Sequence, residues 1–254
     1  MTRPLSGTTA LVTGASSGIG EATAVALAAQ GANVAIAARR RNRLEALAEQ
    51  IKAHAVTPLV IEADVTGDAQ AREAIDRTIA AFGRLDTLVN NAGVMLLGPI
   101  IDAPIDEWDR MLELNVKALM HCTHAALPHL LEAATSEPRY VADLVNVSSV
   151  AGRLARAGSG AYNASKWAVN AFSESLRQEV TKRHVRVSLI EPGAVETELS
   201  SHNRPEIQTM IRQRFGNIER LQSNDIADAI VYVVTRPRHV AINEVLIRPT
   251  EQEG

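Results

Sequence analysis

Short, unbroken apolar runs recur along the chain, and most neighbouring pairs leave room for one helix between them. Residues 8–13, 33–38, 59–63, 87–89, 141–147, 186–190 and 244–247 read as strands. Apolar runs without an in-and-out alternation are the mark of strands covered on both faces. Between them, residues 21–30, 44–54, 69–82, 106–114, 116–132 and 225–235 read as helices, as does a segment that carries Tyr162 and continues to about residue 182. This alternation, with no break in composition, predicts one α/β domain over residues 1–254: a doubly wound parallel sheet with helices on both faces. No internal repeat, low-complexity tract or linker interrupts it. Residues 198–221 are mostly polar and form the longest stretch without a clear core pattern, so they are expected to make a lid over the site.

The first strand runs into Thr13-Gly14-Ala15-Ser16-Ser17-Gly18-Ile19-Gly20 and then into an alanine-rich helix. Strand, glycine turn, helix is the context of a phosphate-binding turn. Gly14 permits the tight turn, Gly18 lets backbone approach a pyrophosphate, and Gly20 lets helix and strand pack closely, with Ser16, Ser17 and Ile19 completing the turn. The plain alternative is a tight strand-to-helix turn without a ligand. The second strand ends at Ala38, where an acidic residue would bond a ribose 2′-hydroxyl and select NAD. Arg39 follows instead, and a guanidinium matches a 2′-phosphate in geometry as well as charge, which favours NADP(H). Arg40 belongs to the same expected contact set, although Arg40, Arg41 and Arg43 also read as the solvated basic start of helix 44–54. Asp64, with Val65 beside it, is placed either to contact adenine or to cap helix 69–82. Asn90-Asn91-Ala92-Gly93 closes the fourth strand where open parallel sheets bind ligands. Asn115, between two apolar helical faces, either bonds backbone across a helix irregularity or holds a water.

Tyr162 and Lys166 are four residues apart, on one helical face. A free phenol titrates near pH ~10; a neighbouring cation lowers that value and brings the group closer to acid–base work. Ser149, upstream of Tyr162, can offer a hydroxyl to the same substrate oxygen. Together the three residues make a site for moving a proton on or off a carbonyl or alcohol oxygen. Read alone, a Tyr-x-x-x-Lys match is also satisfied by a surface tyrosine and a solvated lysine.

Composition narrows the classes. Apolar residues make up 46% and charged residues 22%, and a net charge of −3 with a pI near 6.2 offers no basic stripe for nucleic acid. Aromatics at 3% argue against stacking platforms for single strands. The single cysteine, Cys122, forms no internal disulfide and reads as a small buried hydrophobe. No run of eighteen apolar residues and no apolar leader is present, so a soluble, cytoplasmic protein without membrane contact is expected. No metal is called for.

These residues together resemble the short-chain dehydrogenase/reductase family over essentially the whole chain. The matches come in order: Thr13-Gly14-x-x-x-Gly18-x-Gly20, Asp64, Asn90-Asn91-Ala92-Gly93, Asn115, Ser149, Tyr162-x-x-x-Lys166, and Pro192-Gly193 with Thr197. The resemblance implies a single-domain Rossmann fold and a small-molecule carbonyl or alcohol substrate. It also implies that Tyr162 is the acid–base group and that Lys166 lowers its pKa and holds the nicotinamide ribose. Ser149 would orient the carbonyl oxygen, and Asn115 would position a water that links Lys166 to solvent. Pro192, Gly193, Val195 and Thr197 would lie by the nicotinamide. Within the family, some segments are similar to those of clavulanaldehyde dehydrogenases and others to those of bacterial NADP-dependent 3-hydroxy acid dehydrogenases. The lid at residues 200–217 differs, and that region sets the substrate. A 3-oxoacyl-thioester reductase and a non-catalytic NADP sensor are the rival readings. The family is usually tetrameric or dimeric, often through its fourth and fifth helices, so a homo-oligomer is expected. His202, Arg204, Arg212 and Arg214 suggest either an anionic substrate or a solvated helical face.

Overall fold

The computed structural model describes residues 3–253, the Arg214 side chain excepted. Strands β1 (Thr9–Thr13), β2 (Asn33–Ala38), β3 (Pro58–Glu62), β4 (Thr87–Asn90), β5 (Ala142–Val147), β6 (Val185–Pro192) and β7 (Glu244–Ile247) form one sheet. Their order is β3-β2-β1-β4-β5-β6-β7, and every neighbouring pair is parallel. The helices are α1 (Gly18–Ala29), α2 (Arg41–Lys52), α3 (Asp68–Phe82), α4 (Ile105–Leu112), α5 (Ala118–Ala133), α6 (Gly160–Val180), α7 (Pro205–Phe215) and α8 (Ser223–Val234). This is a Rossmann-like arrangement with both sheet faces covered.

Strand periodicity divides the core in two. Val12, Val34 and Ile36 point to the face covered by α1, α2 and α8, where Leu27, Leu47 and Ile230 pack on them. Leu11, Ala35 and Ala37 point to the opposite face and meet Ile75 of α3, Leu130 of α5 and Leu176 of α6. Burying both faces is what makes the strands read as continuous apolar runs. Strand order reverses between β1 and β4, so connections leave β1 in opposite directions and open a crevice at the strands' C-terminal ends.

Several boundaries differ from the sequence reading, each for a local reason. Helix α1 begins at Gly18 rather than residue 21, because the glycine turn supplies the helix's first turn. Strand β6 extends to Pro192, since β7 pairs with it as far as Pro192 against Ile247. Residues 106–132 form one continuous helical run, in which a π-helical segment, Glu113–Lys117, joins α4 to α5 around Asn115. The segment expected to form a lid is largely helical: a 3₁₀ turn at Glu198–His202 precedes α7, whose Ile207 and Ile211 are buried.

Candidate active site

A cavity of about 450 Å³ lies over the C-terminal ends of β1, β2, β4, β5 and β6. Its floor is knitted from β1 and β4. The Thr13 hydroxyl accepts the backbone N–H groups of Asn91 at 3.0 Å and Ala92 at 3.1 Å. The Asn91 amide donates to the carbonyls of Thr13 at 3.0 Å and Gly14 at 3.2 Å. Gly14 has φ +64°, and a Cβ there would come within 2.7 Å of Ala92 Cα. That approach brings Gly14, Ala92 and Gly93 onto one side of the cavity, with Ser16, Ser17, Gly18 and Ile19 following at the start of α1. The positive end of α1 thus faces the cavity, a place suited to phosphate. Gly20 does not line the cavity; a Cβ on it would lie 2.5 Å from the Gly14 carbonyl oxygen, so close packing alone demands glycine.

The two arginines after β2 behave differently. Arg39 is 75% exposed and reaches Asp64 at 3.9 Å. Arg40 is pinned over the glycine turn. Its Nε and Nη2 donate to Ser16 Oγ at 3.1 and 3.0 Å, and Nη2 also donates to Ser17 Oγ at 2.7 Å. Arg41 pairs with Glu45 one turn on, which is the solvated helix start. Asp64 does not cap α3: Gly67 stands at that N-cap, and the Asp64 carboxylate instead accepts the Thr66 N–H at 3.1 Å and its hydroxyl at 2.7 Å. Asp64 and Val65 both line the cavity beside Arg39.

Farther along, the same cavity meets Ser149, Tyr162 and Lys166. Ser149 follows β5 and caps the 3₁₀ turn Val150–Gly152, accepting the Ala151 N–H at 3.1 Å. Its hydroxyl lies 3.4 Å from the Pro192 carbonyl, a long bond, and within hydrogen-bond reach of Tyr162. Tyr162 and Lys166 are 7% and 6% exposed, and Lys166 Nζ donates to the Val147 carbonyl at 2.9 Å while lying 6.0 Å from the Tyr162 ring centre. Against the expectation that Lys166 lowers it, burial pushes the Tyr162 phenol above its ordinary value, and only the Ser149 hydroxyl pulls it back. Burial also pushes Lys166 down, to about 8. The phenol is therefore held in its protonated, acid form, beside an ammonium that releases its proton readily.

Asn115 resolves toward the first of its two readings, with backbone from a different element. Its Oδ1 accepts the Val94 N–H at 2.8 Å, and its Nδ2 donates to the Val94 carbonyl at 2.9 Å and to Ser165 Oγ at 3.1 Å. A Cβ built on Gly93 would lie 3.3 Å from Asn115 Oδ1 and 3.9 Å from Lys166 Nζ, so these groups share one wall.

At the end of β6, Pro192, Gly193, Val195 and Thr197 close the cavity. Thr197 Oγ1 caps the lid's 3₁₀ turn by accepting the Leu199 N–H, and Val195 bridges to Leu221 at the lid's far end. Of His202, Arg204, Arg212 and Arg214, His202 lines the cavity, and burial chiefly lowers its pKa. Arg204 pairs with Glu107 and Glu206, Arg212 with the Thr209 hydroxyl, and the Arg214 side chain lies outside the described residues.

Sequence reasoning missed several contributors. Gln252 accepts the Ala194 N–H at 2.8 Å from the far C-terminus. Asn203 ties the lid to the loop after β4, accepting the Leu97 N–H at 2.7 Å and donating to the Met95 carbonyl at 2.9 Å. Asn163 holds the loop after β5 by donating to the carbonyls of Ala151 and Leu154 and accepting the Arg156 N–H. Arg156 and Arg220 line the cavity. Cys122 is buried and its thiol is pushed up to about 12, so it is an inert core residue. Among the described residues no group of His, Cys, Asp and Glu could hold a metal ion, and no helix is long and apolar enough to cross a membrane.

Comparison with known proteins points one way. The short chain dehydrogenase family model matches residues 8–208. An uncharacterized oxidoreductase of Staphylococcus epidermidis is 37% identical over 240 residues, covering 94% of this chain and 96% of that one. Among solved structures, the closed form of a serine dehydrogenase complexed with NADP+ superimposes with a TM-score of 0.87 at 32% identity, covering 96% of each chain. A short chain dehydrogenase from Burkholderia cenocepacia in complex with NADP gives 0.82 at 33% identity, over 96% of this chain and 98% of that one.

Proposed function

The chain belongs to the short chain dehydrogenase family, and from that premise we propose that it is an NADP(H)-dependent alcohol dehydrogenase/carbonyl reductase. It would interconvert an aldehyde or ketone and the corresponding alcohol. The observation that carries this reading is the meeting, in one cavity, of the glycine turn and Arg40 at one end with Ser149, Tyr162 and Lys166 at the other. The residues fit a dinucleotide. Gly14 and Gly18, both at positive φ, open the turn, α1 offers its N-terminus, and Arg39 and Arg40 would supply the cations that a ribose 2′-phosphate requires. The two solved neighbours complexed with NADP support the choice of cofactor.

When bound, the nicotinamide supplies or accepts the hydride. The protein's part is the proton and the charge on oxygen. In reduction, Tyr162, protonated because it is buried, delivers its hydroxyl proton to the carbonyl oxygen as negative charge develops there. Ser149 turns its hydroxyl from the Pro192 carbonyl to the same oxygen, a single oxyanion-type donor. Lys166, fixed by the Val147 carbonyl, stabilises the phenolate left behind, and Asn115 holds the wall beside it on the proton's route to solvent. In oxidation the same steps run backwards.

Substrate is the finer part of the proposal. Likeness to a serine dehydrogenase favours the hydroxy-acid side of the family over the clavulanaldehyde side, and Arg156 and Arg220 in the cavity suit an acidic group. We also place the protein in the cytoplasm as a homo-oligomer, dimer or tetramer; exposed Leu112 on α4 and Trp167 on the adjoining α6 supply apolar surface for it.

The test is NADPH oxidation against aldehydes, ketones, 3-oxo acids and 3-oxoacyl thioesters, with NADH as the paired control. Turnover of one class with NADPH preferred is expected. Tyr162→Phe should lower kcat by ~10³-fold or more, the usual worth of a positioned acid being about 10²–10⁴-fold, while NADPH binding stays within twofold. Unchanged turnover in that variant refutes the acid–base assignment. Tight NADPH binding with no turnover of any class would refute the enzyme reading in favour of a sensor.

A further inference from the structure

The lid places a carboxylate among the cations at the adenine-ribose end of the cavity. Glu198, the first residue of the lid's 3₁₀ turn, follows Thr197, whose side chain lies against Gly18. Glu198 Oε2 accepts from Arg40 Nη1 at 2.8 Å, and Oε1 accepts from Arg43 Nη2 at 3.2 Å. The Ser17 hydroxyl also bonds to it, and these partners hold the Glu198 carboxyl below its ordinary range, ionised at any working pH. Arg40's remaining nitrogens are spent on Ser16 and Ser17. Two guanidinium groups and the Ser17 hydroxyl therefore converge on one oxyanion, with Ser16 bracing Arg40, and that oxyanion is the chain's own.

We propose that Arg40, Arg43, Ser16 and Ser17 form one anion site with two competing occupants, the Glu198 carboxylate and the ribose 2′-phosphate of NADP(H), so that Glu198 sets how strongly NADPH is held. The inference rests on the NADP(H) reading above. A doubly charged phosphate and a carboxylate cannot share one guanidinium face without like-charge repulsion. The phosphate carries more charge and more acceptor atoms, so it displaces the carboxylate. Glu198 is 39% exposed and leaves for solvent at little cost. NADH brings no such phosphate and leaves the Glu198–Arg40 pair in place. Glu198 is thus a specificity-determining residue that works against the preferred cofactor and keeps its affinity moderate. The opposite role, in which Glu198 orients Arg40 for the phosphate, predicts the opposite sign on substitution.

The experiment is calorimetric titration of wild type, Glu198→Gln and Glu198→Asp with four probes: NADPH, NADH, adenosine 2′,5′-bisphosphate and 5′-AMP. An exposed ion pair shifts an equilibrium roughly 1.5- to 5-fold. Losing both arms in Glu198→Gln should therefore tighten NADPH and the bisphosphate roughly three- to tenfold, with NADH and 5′-AMP held within twofold. Glu198→Asp, too short to span both arginines, should fall between. Wild type that prefers NADPH, combined with a Glu198→Gln variant that binds it no more tightly or more weakly, overturns the inference alone. Wild type that binds NADH as tightly as NADPH overturns the NADP(H) reading and the inference with it.

Discussion

Lys166→Met should make the cofactor-free protein more stable at neutral pH while abolishing its chemistry. Lys166 is buried, and burial lowers its pKa from 10.5 to about 8. At ~1.4 kcal/mol per pH unit, that fall corresponds to about 3 kcal/mol of folding free energy sacrificed to keep an ammonium inside. Because the folded state binds this proton more weakly than the unfolded chain, the penalty is complete below pH about 8 and fades as pH rises toward 10.5. Methionine fills much the same space without charge but leaves the Val147 carbonyl, now bonded to Nζ at 2.9 Å, without that donor, a loss of about 1–2 kcal/mol. The variant should therefore exceed wild type by roughly 1–2 kcal/mol at pH 7 and fall below it by a similar amount near pH 10.5. Urea unfolding of both proteins at intervals across this range measures the difference directly, and other titrations cancel in it. A difference that stays flat with pH would refute the argument, since no packing change can mimic the slope.

Two further substitutions probe the remaining parts of the site. Arg39→Asp places a carboxylate beside Asp64 and the expected 2′-phosphate, so NADPH binding should weaken at least ~10-fold and NADH binding far less; an unmoved NADPH/NADH ratio in parallel titrations would make Arg39 a surface residue. Asn115→Ala strips partners from both Val94 backbone groups and from Ser165. It should cost about 2–4 kcal/mol in urea unfolding and lower kcat more than it raises KM. A variant of full stability would mean that the π-helical segment holds without the asparagine.

Legibility in the sequence followed range. Helices, strands and the glycine turn are encoded by residues within one or two turns of each other, and their positions were readable to within a few residues. Tyr162, Lys166 and Ser149 were readable because a helix and a strand end fix their spacing. The lid was not. Ile207 and Ile211, buried one turn apart, carried its only helical signal, submerged among polar neighbours. Asn203, Glu198 and Gln252 act across separations of roughly 60 to 160 residues on partners with no motif of their own. Burial, which helical spacing does not encode, raises the Tyr162 phenol, and the Ser149 hydroxyl lowers it. Desolvation acts on both members of the pair, raising the phenol and lowering the ammonium.

The glycines show where information about the ligand resides. Gly14 is needed because a side chain would strike Ala92, and Gly20 because one would strike the Gly14 carbonyl. Gly193, which the family resemblance places by the nicotinamide, is crowded from the C-terminal tail: its Cβ would meet the end of the Gln252 side chain and lie 3.1 Å from Pro249 Cδ. Each of these constraints is met by the protein's own atoms. The glycine pattern therefore specifies the shape of the cavity: a sharp turn, a close helix and a loop braced by the C-terminal tail. It says nothing by itself about which dinucleotide enters. That choice falls to charge at the cavity's edge, where Ala38 leaves no carboxylate on β2 to claim a 2′-hydroxyl, and where Arg39 is exposed beside Asp64 while Arg40 is bonded to Ser16, Ser17 and Glu198. A single acidic side chain, arriving from the lid rather than from β2, then decides how much of that positive charge a cofactor can use.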